Sequence, residues 1–208
     1  MTLKIRVYSD YVCPFCFLAE GPLEAAAKEK DVEIEWMPFE LRPYPTPTLK
    51  PEGEYLQTVW ARSVYPIAER MGVKITLPKV SPQPYTHLAF EGYQYAKEHK
   101  KANEYNHRIF TAFFQEEQDI GDIDVLTKLA GEIGLNKEEF KKALETRKYK
   151  EAHQKALEHA YHEAHITAVP TFIIGERVLQ GLYSQETLEK VINEELQKQQ
   201  TQVSDEKL

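Results

Sequence analysis

Cys13 and Cys16 are the residues of this chain best equipped for chemistry. They bracket Pro14 and Phe15, and no third cysteine occurs in the 208 residues. A cysteine thiolate attacks a disulfide sulfur, and a second thiol nearby can resolve the mixed disulfide that forms. The pair follows Leu3-Lys4-Ile5-Arg6-Val7-Tyr8, whose alternation predicts a strand, and precedes a run with helical spacing. At such a strand-to-helix turn Cys13 falls at the helix N-cap or first turn, where unpaired backbone N–H groups and the dipole stabilise negative charge. A free thiol titrates near about 8.5 and such settings lower it. Cys13 is therefore expected to be the solvent-facing attacker. Cys16, one turn along, is expected to be more buried and to stay a thiol until it resolves the adduct. Pro14 suits an early helical position, where its missing N–H would be unpaired anyway. Phe15 brings no cation between the sulfurs, which predicts a less oxidising couple than a pair holding His or Lys there.

Other uses of two cysteines compete with this reading. A Cys₄ zinc site is impossible with no further cysteine. A structural disulfide closing so short a loop would constrain the unfolded chain little. Two inert cysteines meeting at this junction stay open on spacing alone. Four of the seven histidines, His153, His159, His162 and His165, cluster on the helix before Pro170. His162 and His165 stand i,i+3 where a zincin pair stands i,i+4; the spacing still permits one face, but solvated helix histidines are the simpler reading.

Around the pair, residues 14–30 read as a helix, with Pro22 predicting a kink or early break. Val32-Glu33-Ile34-Glu35-Trp36-Met37 alternates again, so the first forty residues run β–α–β. Nine prolines between 38 and 84 bracket a helix at about 54–71, and from 86 to about 166 the pattern is helical almost throughout. Asp122 opens one segment there, and Asn136 with Glu139 makes a capping pattern for another. Thr171-Phe172-Ile173-Ile174 and Arg177-Val178-Leu179-Gln180 read as a hairpin, after which Ser184 caps a last helix with Leu188, Val191, Ile192 and Leu196 inward. The polar run from Gln197 to Leu208 has little to bury and is expected to fray. Pro170 directly precedes the first hairpin strand, a position proline tolerates as punctuation.

The bulk numbers narrow the partners. A formal charge of −7 argues against nucleic acid, which asks for a basic patch. No apolar run approaches a bilayer span, so no membrane is expected. The first residues lack a basic stretch followed by an apolar one, and two cysteines make no disulfide framework. A reducing cytoplasm is the expected compartment, as a monomer or homodimer.

Ser9-Asp10-Tyr11-Val12-Cys13-Pro14-Phe15-Cys16-Phe17 resembles the N-terminal motif of the DsbA-like branch of the thioredoxin superfamily, and Ile166-Thr167-Ala168-Val169-Pro170-Thr171-Phe172 resembles its cis-proline segment. Trp36-Met37-Pro38-Phe39-Glu40-Leu41-Arg42-Pro43 and Phe110-Thr111-Ala112-Phe113-Phe114 are most similar to FrnE-type dithiol–disulfide isomerases. The resemblance implies an α/β protein: a thioredoxin fold over 1–42 and 166–199, a mainly helical insertion over 43–165, and a flexible tail at 200–208. It implies a thiol–disulfide oxidoreductase or isomerase acting on protein or small-molecule disulfides. Cys13 would be the nucleophile and Cys16 the resolving thiol. Pro170 would be a cis proline, and Val169 would offer backbone hydrogen bonds to a substrate lying against Pro14 and Phe15. Glu40 lies near where related folds keep a buried acid, which makes it a candidate for proton transfer beside its plainer structural role. No metal, nucleotide or other cofactor is implied. The same branch includes kappa-class glutathione transferases and 2-hydroxychromene-2-carboxylate isomerases, which usually carry Ser at the Cys13 position and bind glutathione. That activity, and a non-enzymatic peptide-binding chaperone using an aromatic cleft, are the alternatives.

Overall fold

The strand that delivers the cysteines is the centre of the sheet. The structure, a computed structural model describing residues 2–205, holds β1 (Leu3–Ser9), β2 (Val32–Pro38), β3 (Thr171–Ile174) and β4 (Arg177–Gln180) in the order β2-β1-β3-β4. β1 runs parallel to β2, with Val7 opposite Trp36, and antiparallel to β3, with Val7 opposite Phe172. The period-two alternation of β1 shows in its burial. Leu3, Ile5 and Val7 enter the main core, whereas Tyr8 joins Phe39, Ala160 and Ile166 in a second cluster. β3 and β4 form the expected hairpin, with Gly175 at φ 57° in its turn.

α1 (Pro14–Ala27) follows β1 and packs on α9 (Gln185–Asp205). The break expected at Pro22 does not occur: α1 is continuous to Ala27. Leu18, Leu23 and Ala26 are buried on its inner side. Burying side chains of this kind yields about 1.5–3 kcal/mol for a leucine, enough in sum to offset one missing N–H. At the C-terminus the run that reads as frayed continues α9 through Asp205. Gln, Glu and Lys are good helix formers, and Glu195 pairs with Lys198 one turn on. Residues 206–208 lie outside the described residues.

Between β2 and β3 the chain is helical. α2 (Glu54–Val59) and α3 (Tyr65–Met71) are joined through a π turn at Trp60–Val64. Pro66 explains that widening, since it cannot donate to the carbonyl four residues back and its ring crowds it. α4 (His87–Glu98), α5 (Ala102–Phe114), α6 (Ile123–Glu132), α7 (Lys137–Glu145) and α8 (Lys150–Glu158) follow, and a second π turn, His159–Glu163, ends the block. Asp122 caps α6 through the N–H groups of Asp124 and Val125, and Asn136 caps α7 through that of Glu139. Among the described residues no helix is long and apolar enough to cross a membrane.

One close approach sets the spacing of this block. A Cβ on Gly92 of α4 would collide with the Tyr105 hydroxyl and lie 2.8 Å from the Phe140 ring. Both rings are fully buried, and Tyr105 donates to the Ala89 carbonyl at 2.8 Å. Gly92→Ala is therefore expected to destabilise the protein by about 1–3 kcal/mol. Thermal melting checks this: a variant melting with the wild type would show that α4 and α5 can separate freely.

Candidate active site

Cys13 is the N-cap residue of α1 and Pro14 its first helical residue, as the spacing predicts. The turn between β1 and α1 is held by the Cys13 N–H donating to the Asp10 carbonyl at 3.0 Å. At the cap the Cys16 N–H is shared between the Cys13 Sγ at 3.4 Å and the Cys13 carbonyl at 3.1 Å. Tyr11 fixes the turn from beneath, its ring 4.7 Å from Phe90 and 5.2 Å from Phe110.

Cys13 does not stand open on the surface as expected. It is 5% exposed and forms part of the wall of a cavity of about 310 Å³. Pro14, Phe15, Val12 and Val169 line that cavity with it, and Leu41, Arg42, Tyr55, Trp60, Gln83 and Thr86 close the other side. The reason lies in the proline-rich segment and α2, which overhang the cap and recess the sulfur. Cys16 is fully buried. Burial, and then the Cys13 sulfur hydrogen-bonded beside it, push its thiol well above the ordinary range. Both cysteines are free thiols.

Pro170 sits opposite. The Val169–Pro170 peptide bond is cis, and the Cys13 thiol points at the Val169 carbonyl, 3.8 Å away. The Pro170 carbonyl accepts the N–H of Gly181 at 2.8 Å, where φ of 98° asks for glycine. The segment is thus pinned to the end of β4.

The structure sets Glu40 elsewhere. It is buried, but its Oε1 lies 2.5 Å from His153 Nε2, and its carbonyl accepts from the Tyr161 hydroxyl at 2.8 Å. Glu40 and His153 line a different cavity together with His87, Glu91 and Arg147. His153 is therefore not a solvated helix histidine: it is buried, stacked on Phe90 and paired with an acid. His159 bonds Tyr8 and Glu163, while His162 and His165 are exposed. Helical i,i+3 spacing does not apply to the last pair, because the π turn ends at Glu163 and His165 has φ 51°.

The acid that does face the dithiol is Asp10, to which the sequence reading assigns no role. It is fully buried at the mouth of the turn and lines the Cys13 cavity. Its Oδ2 accepts the Leu41 N–H at 2.8 Å, and Oδ1 has no partner. Burial above all raises its pKa to about 7, against the opposing hydrogen bonds of Leu41 and Thr86. The sequence offers only one signal for it, an acid three residues before Cys13 where β1 ends.

The sequence model of the DSBA-like thioredoxin domain matches residues 4–193. The chain is 58% identical over 199 residues to the uncharacterised protein YwbO of Bacillus subtilis (strain 168), covering 95% of this chain and 100% of that one. It superposes on a probable DsbA oxidoreductase from Streptomyces coelicolor with a TM-score of 0.77 at 19% identity, over 93% of this chain and 90% of that one. A cytosolic disulfide reductase, DsbM from Pseudomonas aeruginosa with GSH, superposes with a TM-score of 0.70 at 20% identity, over 97% and 100% of the two chains.

Proposed function

The chain belongs to the DSBA-like thioredoxin domain family, and on that footing we propose that it is a cytoplasmic thiol–disulfide oxidoreductase or isomerase working through the Cys13–Cys16 dithiol. The observation that carries this reading is the meeting of three features in one cavity. A capped Cys13 sulfur lies there, a buried protonated Cys16 sits behind it, and the backbone of Val169–Pro170 forms the facing wall.

In the reducing direction the Cys13 thiolate attacks one sulfur of a substrate disulfide. The S–S bond breaks, and the leaving sulfur departs as a thiolate that takes up a proton. Cys16 then loses its proton and attacks Cys13 Sγ, releasing the second substrate thiolate and leaving a Cys13–Cys16 disulfide. The substrate gains two electrons and the dithiol loses two. Isomerisation uses the same first step; a different substrate thiolate then attacks the substrate sulfur of the mixed disulfide, forming the new S–S bond and releasing the Cys13 thiolate. Pro14 and Phe15 form the near wall against which the substrate lies, and Val169 offers it backbone hydrogen bonds. The partners on this reading are protein or small-molecule disulfides. The cytoplasmic placement is supported by the scarcity of cysteine, which suits a reducing compartment.

Reduction of insulin by dithiothreitol tests the proposal. The wild type is expected to accelerate it and Cys13→Ser to leave only the uncatalysed rate; equal rates would refute the assignment. Tight glutathione binding, with conjugation that survives loss of Cys16, would move it to a glutathione-dependent transferase or isomerase.

A further inference from the structure

The Asp10 side chain reaches sideways out of its own segment. An acid at the start of a helix usually caps it, but here Cys13 caps α1 and Asp10 bonds the segment after β2. Its Oδ2 takes the backbone N–H of Leu41, just after β2, at 2.8 Å. The Thr86 hydroxyl, and the Val12 N–H of the turn itself, also favour its ionised form. Thr86 stands at the N-cap of α4 yet makes no side-chain cap to that helix, so its hydroxyl is free for Asp10. Leu41, Arg42 and Thr86 all line the Cys13 cavity. Leu41 is 47% exposed at its edge.

We propose that Asp10 is the clamp that holds the rim of this cavity closed, tying the segment after β2 and the start of α4 to the turn that carries Cys13. It thereby sets how bulky a disulfide the nucleophile can reach. Asp10 is a positioning residue on this account: it acts through Leu41 and Thr86.

Among the described residues no cation pairs with the carboxylate. The titratable groups acting on it are Glu40 after β2, Cys16 of α1, Tyr11 of the turn and Tyr161 of the second π turn, all acids. Arg42 stands on the rim but donates to the Pro47 carbonyl. Hydrogen bonds to an ionised acceptor are roughly twice as strong as neutral ones. With its pKa raised to about 7, chiefly by burial, Asp10 grips the rim hardest above that pH and more weakly below it.

The clamp concerns the same cavity as the proposed function, but its test needs no turnover. In a Cys16→Ala background Cys13 is the sole thiol, and its alkylation by iodoacetamide is compared with that by a bulky fluorescein iodoacetamide. Both reagents need the thiolate equally, so the ratio of bulky to small rates cancels its titration and reads the rim alone. In this background the ratio is expected to be low on the alkaline side of about 7 and to rise severalfold as the pH falls through it. Asp10→Ala should raise the ratio about tenfold at alkaline pH, the change for losing about one net charged hydrogen bond, and make it independent of pH. Asp10→Asn keeps an acceptor for Leu41 and should give an intermediate, flat ratio. Thr86→Val removes one tie while leaving Asp10 and should raise the ratio by less. Should Asp10→Ala not fold, the Thr86→Val ratio and the pH profile of the Asp10 protein decide. A flat profile there, or a Thr86→Val or Asp10→Ala ratio equal to the parent's, overturns the clamp. An inactive protein in the insulin assay with these ratios intact would refute the proposed function and leave the clamp standing.

Discussion

Cys16→Ala is expected to turn the protein from a catalyst into a covalent trap. The first attack depends on Cys13, its cap and the cavity, none of which the substitution touches. The second attack loses its nucleophile, and the chain holds no third cysteine to replace it. Well-placed intramolecular groups act with effective molarities of about 10⁵–10⁸ M. External thiols work at millimolar concentration and must enter a cavity in which Cys13 is 5% exposed. Turnover should therefore fall by on the order of a thousandfold or more, while an adduct accumulates that a reductant releases. Cys13→Ser should form no adduct, because serine cannot take the first step. Mass spectrometry of the two variants after exposure to a disulfide substrate separates them. A Cys16→Ala protein turning over at the wild-type rate would mean that Cys16 is not the resolving thiol.

The order of elements around the dithiol was legible because it rests on local signals. Period-two alternation in Leu3–Tyr8 and Val32–Met37, the N-cap position of Cys13 and the proline before Thr171 all act within a few residues. What was not legible depends on segments that meet only in the folded chain. Pro22 reads as a helix breaker in isolation, and only the buried Leu18, Leu23 and Ala26 around it show why α1 continues. Glu40 reads as an acid near the dithiol, yet its partner lies 113 residues away on α8, and the pair belongs to another cavity. Asp10 is illegible in the sequence for the converse reason. Its sequence neighbours say only that a strand has ended, whereas its chemistry comes from Leu41 and Thr86, contributed by two distant stretches. The recessed position of Cys13 has the same origin, since Leu41, Tyr55 and Trp60 close over it from the segment after β2.

Asp10→Asn is expected to change stability in a way that depends on pH. The Asp10 carboxyl is fully buried with one oxygen unpartnered, and its pKa is raised from 3.8 to about 7, burial being the first cause. Below about 3.8 both folded and unfolded chains hold the proton, so the group contributes no pH dependence. Between 3.8 and about 7 the unfolded chain releases its proton while the folded one keeps it. Folded stability therefore falls as the pH rises through this window and levels off above it. A shift of about three pKa units corresponds to about 4 kcal/mol. Asp10→Asn removes the titration while keeping the shape and an acceptor for the Leu41 N–H. The stability difference, variant minus wild type, should be flat under acid conditions and grow by up to about 4 kcal/mol toward neutrality. Urea unfolding of both proteins across this range measures it directly. Other titrations cancel in the difference, and the cost of burying the new amide shifts the whole curve without tilting it. A difference that stays level or falls with rising pH would show that the folded protein does not hold Asp10 in its acid form. A rising difference would show a carboxyl retained at a position where its ionised form weakens the fold. That charge is bound at the rim of the Cys13 cavity, through the Leu41 N–H.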